Sequence, residues 1–162
     1  MTVNEYNDCV NQFSDGVYRF VLKHIKCADR ASDVVQDAFL KMWEKVETIN
    51  FEKAKSYLFT AAHHTLVDEV RKTQIHQRFV TAQPMENDYE NTSYSDVYEV
   101  LNKAMEHLPV DQKTVLMLRD YEGYSYDEIA EITGLNESQV KVYIFRARTF
   151  LKTYLVRIEN LV

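Results

Sequence analysis

Glycine and proline are scarce in this sequence, and their scarcity limits the folds that it can adopt. The 162 residues include only 3 glycines and 2 prolines, and 46% of the residues are hydrophobic. Since glycine and proline are the residues that most often interrupt helices, so few of them in a chain of this length indicate a mostly helical protein. The length is enough for one ordinary domain or two small ones.

The first half of the chain contains three stretches in which apolar residues recur at helical spacing. They run from Val10 to about Lys26, from about Ser32 into the forties, and from about Ser56 into the seventies. The polar stretch "ETINFEKAK" separates the second from the third. We therefore predict a three-helix domain over residues 1–79.

The composition changes between residues 80 and 99. This segment holds five acidic residues and no lysine or arginine, and Pro84 lies near its start. A polar, acidic segment without apolar periodicity is typical of a linker. The predicted fold is therefore all-α, with two small helical domains joined by an acidic flexible linker at 80–97 and a second domain at 98–162.

The second domain carries the pattern of a helix-turn-helix. Ser125 and Glu128 have the spacing of a capping box, which predicts the start of a short helix. Gly134 permits the left-handed backbone of a tight turn, and Asn136 suits the N-cap of a longer last helix. In DNA-binding proteins of this kind the second helix enters the major groove.

The last helix has one apolar and one polar face. Apolar residues recur at spacings of four, three and four, which predicts that they are buried: Val140, Ile144, Ala147 and Leu151. The other face is expected to contact DNA through Ser138, Gln139, Lys141, Val142, Tyr143 and Arg146. The alternative is a helix face that is merely solvated.

Charge favours the DNA interpretation. The formal net charge is -6, yet no acidic residue occurs between Glu137 and Glu159. That interval holds a strip of basic residues: Lys141, Arg146, Arg148, Lys152 and Arg157. A local basic strip on an acidic protein indicates that DNA binding is local or depends on a partner.

Other classes of protein find little support in the sequence. Cys9 and Cys27 form no disulfide framework, which fits a reducing compartment. The N-terminal residues lack the features of a signal peptide, and no apolar run approaches the ~18 residues of a membrane span. We therefore expect a soluble cytoplasmic protein without membrane insertion.

A metal site or an enzyme is a weaker alternative. His64 and Asp68 are four residues apart, and His24 and Cys27 form another pair, but two ligands do not complete a metal site. No nucleophile–base arrangement or glycine-rich phosphate loop can be assigned. We expect no metal, no cofactor and no catalytic residue.

At this point the motifs resemble a known family. The segment "LPVDQKTVLMLRDYEGYSYDEIAEITGLNESQVKVYIFRARTFLK" is similar to region 4 of the extracytoplasmic-function (ECF) sigma factors, members of the bacterial sigma-70 family. "DRASDVVQDAFLKMWE" and "SYLFTAAHHTLVDEVRK" resemble region 2 of the same family. The resemblance spans nearly the whole chain. It implies a transcription initiation factor that binds core RNA polymerase and directs it to promoters.

The resemblance also implies residue roles. Core polymerase would contact a ridge of the second helix formed by Asp33, Gln36 and Asp37. The alternative is that this ridge is only a solvated helix face. Contact with the −10 promoter element falls on Asn50, Phe51, Lys53, Lys55, Tyr57, His63 and His64. Phe51 and Tyr57 are equally compatible with a place in the core. The last helix would then read the −35 element.

Four residues depart from the family pattern on the surfaces expected to touch DNA. They are His63, His64, Gln139 and Tyr143, and they bear on which promoter is recognised.

The resemblance further implies an anti-sigma factor as a partner and a linker that threads through the polymerase. A stand-alone helix-turn-helix regulator with a helical partner-binding domain is the alternative, although such a protein would not need the "DVVQDAFLKMW" segment.

Overall fold

The computed structural model describes residues 1–79 and 97–160, and none of these residues lies in a β-strand. The all-α prediction is confirmed. Most of the predicted linker, residues 80–96, lies outside the described residues. A 3-10 helix covers Phe51–Lys53, and the α-helices are α1 (Val3–Ile25), α2 (Ala28–Glu44), α3 (Ala54–Phe79), α4 (Val97–Glu106), α5 (Val110–Asp120), α6 (Tyr126–Thr133) and α7 (Glu137–Asn160).

The first helix begins seven residues before the apolar pattern suggested. A reciprocal capping box holds its start: the backbone N–H of Glu5 donates to Thr2 Oγ1 at 3.2 Å, and the N–H of Thr2 donates to Glu5 Oε2 at 2.7 Å. Such a box satisfies two N–H groups that the first helical turn leaves unpaired. The second helix also begins earlier than predicted, at Ala28 instead of Ser32.

Helices α1, α2 and α3 form the core of the first half. Phe20 of α1 meets Phe59 of α3 edge to face, with ring centroids 5.4 Å apart. Apolar side chains from all three helices fill the space around this pair, among them Val17, Val21, Ala38, Met42, Leu58 and Leu66. Each of these side chains is at most 1% exposed, so the three apolar stripes of the sequence meet in one core.

Helices α4 to α7 form the second half, and the register predicted for α7 is confirmed. Val140 and Ala147 are fully buried, and Ile144 is 2% exposed. Gly134 ends α6 with a φ of 76°, the left-handed conformation that the turn requires. Ser125 caps the start of α6 by accepting a hydrogen bond from the backbone N–H of Glu128 at 3.2 Å.

The two halves pack against each other, which the sequence did not predict. Phe59 of α3 meets Tyr124, the residue before the Ser125 cap of α6, with ring centroids 5.7 Å apart. His24 Nε2 of α1 lies 3.2 Å from Thr114 Oγ1 of α5. The core of the first half therefore continues into the second.

Candidate polymerase and promoter interfaces

The N-terminal end of α7 is capped by the side chains of Asn136 and Gln139. Asn136 Oδ1 accepts from the backbone N–H of Gln139 at 2.8 Å, and Gln139 Oε1 accepts from the N–H of Asn136 at 3.1 Å. This is a capping box formed by asparagine and glutamine. Gln139 is exposed, as predicted, but its carbonyl oxygen already serves the cap. Its amide nitrogen remains the group that can donate to a base.

The remaining residues predicted on the outer face of α7 do not share one environment. Ser138, Val142 and Arg146 are exposed. Lys141 is exposed and pairs with Glu137 one turn earlier, at 3.3 Å. Tyr143 is half-buried and packs against the core, so it lies at the edge of the face.

Phe145 is a surface residue that the sequence analysis did not select. Its side chain is 71% exposed, and that of Val142 is 43% exposed. Both lie on the side of α7 opposite the core, three residues apart, and are therefore neighbours on the helix surface. An exposed phenylalanine beside basic residues is a candidate for contact with DNA. The exposure of Phe145 could have been predicted from the sequence, because position 145 is not one of the buried positions 140, 144, 147 and 151.

Arg148 does not act as an independent cation of the basic strip. Its Nη2 donates to Asp120 Oδ1 at 2.6 Å and its Nε donates to Asp120 Oδ2 at 3.3 Å. These hydrogen bonds raise the pKa of the arginine. The pair joins α7 to the end of α5 and gives Arg148 a structural role that the sequence did not predict.

The ridge predicted to bind polymerase lies on the surface of α2. Asp33 and Gln36 are exposed, whereas Asp37 is half-buried and pairs with Lys41 at 2.9 Å. The three side chains therefore form a mixed polar surface whose charge is partly neutralised by Lys41. This is compatible with both interpretations of the ridge, the docking surface and the solvated face.

An apolar groove of about 490 Å³ adjoins this ridge between α1 and α2. Leu40 and Trp43 of α2 are 55% and 44% exposed beside it. The sequence analysis missed these two side chains. The groove is lined by Tyr6, Val10, Ser14, Val35, Gln36, Phe39, Leu40 and Trp43.

The residues predicted for −10 contact divide into two groups. The outer group faces solvent: Asn50 and Phe51 lie just before α3 and His64 lies within it, and all three are exposed, Phe51 by 37%. Tyr57 is half-buried and its hydroxyl lies 3.4 Å from the carbonyl oxygen of Lys41. Phe51 is thus a surface residue, and Tyr57 is shared between surface and core.

The inner group meets the second half of the chain. Lys53 pairs with Glu131 of α6 at 3.4 Å, and the Lys55 ammonium lies 4.8 Å from the centre of the Tyr124 ring. His63 is only 4% exposed. In this conformation His63 is therefore not accessible to DNA, contrary to the surface role that the sequence analysis gave it.

Burial also determines the protonation of two histidines. Burial lowers the pKa of His63, while Asp111 of α5 acts in the opposite direction. For His24, burial and the neighbouring charge of Lys113 lower the pKa to about 3. Both side chains are therefore neutral at pH 7, in the region where the two halves meet.

Comparison with known families accounts for both halves. Residues 9–75 match "Sigma-70 region 2", and residues 98–151 match "Sigma-70, region 4". The chain belongs to the sigma-70 family. The match to region 2 covers the α2 segment that a stand-alone regulator would not need, so that alternative is not favoured.

Relatives of this sigma factor match it along nearly its whole length. The RNA polymerase sigma factor SigV of Bacillus subtilis (strain 168) is 32% identical over 153 residues, which cover 92% of this chain and 90% of SigV. The ECF RNA polymerase sigma factor SigM of the same organism is 28% identical over 159 residues, 94% of each chain. The protein is thus an RNA polymerase sigma factor of the ECF type, which binds core polymerase and promoter DNA.

Solved structures show the same fold. The sigma factor RpoE, solved in complex with the anti-sigma factor NepR from Bartonella quintana, superposes with a TM-score of 0.77 at 23% identity, over 94% of this chain and 98% of RpoE. CnrH, solved with the cytosolic domain of CnrY, superposes with a TM-score of 0.69 at 18% identity, over 94% of this chain and 88% of CnrH.

Within residues 1–79 and 97–160, no helix is both long and apolar enough to cross a membrane.

Proposed function

We propose that this sigma factor reads the −35 element with the outer face of α7. The observation that carries this proposal is the division of α7 into a buried register and an exposed face that combines basic, amide and apolar groups. Ser138 and Gln139 lie at the end of the helix that enters the groove first, where they reach base edges. Lys141 and Arg146 meet phosphates or guanine.

Two of the exposed apolar side chains of α7, Val142 and Phe145, belong to this surface. Both side chains are exposed on a helix face whose other residues are mostly polar. Apolar groups in the major groove discriminate thymine by contact with its methyl group. We therefore add Phe145 to the predicted −35 set and place the half-buried Tyr143 at its edge.

The start of α3 is proposed to bind the opened −10 element. Phe51 and Tyr57 offer aromatic surfaces for unpaired bases, and Lys53 and Lys55 offer charge for the DNA backbone. Asn50 and His64 can donate to or accept from base edges. His63 joins this set only if the second half moves away from it.

Core polymerase is proposed to dock on α2. The ridge of Asp33, Gln36 and Asp37 provides polar contacts, and the adjacent groove provides an apolar surface flanked by Leu40 and Trp43. Interfaces of this kind place an aromatic anchor within a polar rim. The combination favours docking over a purely solvated ridge.

We place the chain in the cytoplasm, as an initiation factor with no enzymatic activity of its own. We also propose a division of labour between residues 1–79 for core polymerase and the −10 element and residues 98–162 for the −35 element, with 80–97 as the connection. The separate matches to regions 2 and 4 support this division.

An anti-sigma factor is proposed as the regulatory partner. Two solved proteins with this fold, RpoE and CnrH, are held in complexes with NepR, an anti-sigma factor, and with the cytosolic domain of CnrY. Affinity purification of the tagged chain from its own cells tests this proposal. Recovery of the free chain alone, together with constitutive activity in those cells, would contradict it.

Footprinting with and without core polymerase tests the promoter assignment. We expect the free chain to bind DNA weakly, because its net charge is -6. With core polymerase, protection should extend over two elements and transcription should start downstream. Tight, sequence-specific binding by the free chain that core polymerase does not change would reject the proposal.

A further inference from the structure

Glu137 is an acidic residue at the end of α7 that is proposed to enter the DNA groove. It is the first residue of the helix, and its side chain is exposed. An acidic residue in the first turn interacts favourably with the helix dipole. DNA phosphates nevertheless repel a carboxylate in this position. Glu137 therefore weakens binding to every DNA sequence unless its carboxylate makes a contact of its own.

An ion pair places the Glu137 carboxylate on the DNA-binding face. Lys141 Nζ lies 3.3 Å from Glu137 Oε1, and the two side chains are 55% and 48% exposed. Residues four apart are neighbours on one side of a helix, and Lys141 belongs to the face proposed to read the −35 element. The carboxylate and the ammonium group are therefore presented to DNA together.

The ring of Tyr126 supports Lys141 from a second direction. Lys141 Nζ lies 5.4 Å from the ring centre, within the range of about 6 Å for a cation–π contact. The same ring lies 4.5 Å from the guanidinium carbon of Arg119, whose Nη1 donates to the carbonyl oxygen of Tyr124 at 2.9 Å. Helices α5, α6 and α7 thus all contribute to the position of Lys141. Such preorganisation reduces the conformational entropy that is lost on binding.

The ion pair presents one hydrogen-bond donor and one acceptor side by side. The major-groove edge of a G·C pair offers the O6 and N7 acceptors of guanine beside the N4 amino donor of cytosine. The O6 and N4 atoms are hydrogen-bonded to each other, so they lie about 2.9 Å apart. This separation is close to the 3.3 Å between Lys141 Nζ and Glu137 Oε1.

We infer, on the basis of the −35 role proposed above for α7, that Glu137 is a specificity-determining residue that reads one G·C pair together with Lys141. Lys141 donates to the guanine acceptors, and the Glu137 carboxylate accepts from the cytosine amino group. The contact with cytosine compensates the repulsion between the carboxylate and the phosphates.

Other base pairs fit the ion pair less well. In an A·T pair the donor lies between two acceptors, so the ammonium group finds only one acceptor beside the donor, and thymine adds a methyl group. In the inverted C·G pair the carboxylate faces guanine acceptors and the ammonium group faces the cytosine donor. Each wrong pair leaves a charged group unpaired, which is how an interface rejects incorrect partners.

Holoenzyme binding to a set of promoters tests this inference. A promoter library randomised at the −35 element is first sorted by binding to the wild-type holoenzyme. Every single-base variant of the best element is then measured with the wild type, Glu137→Ala, Lys141→Ala and the double variant. We expect the sorted elements to share a G·C pair at one position, where replacement weakens wild-type binding about tenfold.

The variants should relax the preference at that position alone. With Glu137→Ala the tenfold penalty should fall to about twofold, while the penalties at the other −35 positions stay as in the wild type. Lys141→Ala should lower the penalty at the same position. Glu137→Gln should shift the preference there towards adenine, because a glutamine amide pairs with the N6 and N7 groups of adenine. The matched control, Asp8→Ala, makes the same change of charge at an exposed position of α1 and should change no preference.

Ratios between DNA sequences distinguish these effects from a loss of folded protein, which lowers all affinities alike. Unchanged penalties with Glu137→Ala would overturn the inference, since the carboxylate would then only stabilise the helix. A uniform gain in affinity would also overturn it, because the carboxylate would then only repel phosphates. Relaxation at different positions by Glu137→Ala and Lys141→Ala would rule out a shared base pair. If the wild-type holoenzyme ranks no −35 sequence above another, the proposed function of α7 itself fails.

Discussion

Arg148 binds both carboxylate oxygens of Asp120, with hydrogen bonds of 2.6 Å from Nη2 to Oδ1 and 3.3 Å from Nε to Oδ2. The pair connects the middle of α7 to the last residue of α5. Arg146, two residues earlier, is exposed on another side of the same helix. Two arginines that look equivalent in the sequence therefore have different roles.

We predict that Arg148→Ala lowers the stability of the protein by about 0.5–1 kcal/mol, the upper part of the range for exposed ion pairs, because the geometry is bidentate. Arg146→Ala should leave stability unchanged and weaken most promoters alike. Thermal unfolding and run-off transcription measure the two effects. Asp120→Ala and the double variant complete a thermodynamic cycle. An Arg148→Ala protein with wild-type stability and weakened promoters would assign Arg148 to DNA instead.

The two roles of Gln139 can be separated by substitution. Gln139→Ala removes the oxygen that accepts from Asn136, so it should cost about 0.5–1 kcal/mol and also alter base preference at −35. Gln139→Glu keeps an acceptor for the cap but loses the amide donor. It should therefore retain stability and still change which −35 variants are preferred. An unchanged ranking of −35 variants with Gln139→Glu would remove the base-reading role.

The sequence predicted those parts of the second half that depend on local rules. The register of Val140, Ile144 and Ala147 follows from helical periodicity, and the turn at Gly134 follows from backbone geometry. The capping box of Asn136 and Gln139 was also readable, since it has the N-x-x-Q spacing, but only its first residue was recognised. Local chemistry therefore determines α6, α7 and the turn between them.

The contact between the two halves was not predictable in the same way. Lys53 and Glu131 are separated by 78 residues and are both charged, so neither carries an apolar periodicity that identifies a partner. His63 illustrates the consequence. The sequence placed it on a DNA-binding surface by resemblance, whereas the structure buries it because another part of the chain packs over it.

We predict that the charge reversal Asp37→Lys abolishes or strongly reduces co-purification with core polymerase. The substitution removes an acceptor from the ridge and places two ammonium groups beside each other, since Lys41 lies one turn away. Asp8→Lys is the control, because Asp8 is exposed on α1 and does not line the groove. If both variants bind core polymerase like the wild type, the ridge is only a solvated surface.

We predict that Phe145→Ala weakens holoenzyme binding chiefly at promoters with thymine in the −35 element. Removing the ring eliminates an apolar contact, and loss of such base contacts typically costs about 1–3 kcal/mol. The fold should be unaffected, because the side chain is 71% exposed. Equilibrium binding to a panel of −35 variants measures the effect, with Thr149→Ala as an exposed control one turn later. A uniform loss over all variants would indicate backbone contact instead.

The stability of the protein should fall as the pH drops from 7 to 5, because His24 is held neutral. Its Nδ1 lies 2.8 Å from the carbonyl oxygen of Phe20 and its Nε2 faces Thr114. Burial, Lys113 and His63 lower the pKa, against the Phe20 carbonyl, so that the folded value is about 3. An unfolded histidine has a pKa of about 6.5 and binds a proton across this range, whereas the folded one does not.

The lowered pKa gives the sign of the effect. His24 contributes stability above about pH 6.5, and this contribution is lost as the pH falls towards the folded pKa, by about 2 kcal/mol between pH 7 and 5. Urea unfolding at both pH values measures the loss. His24→Asn should reduce the pH dependence, although His63, whose pKa is also lowered, will retain a share. If the His24→Asn variant and the wild type lose the same free energy of unfolding between pH 7 and 5, His24 is already in contact with solvent and the interface around Thr114 is open.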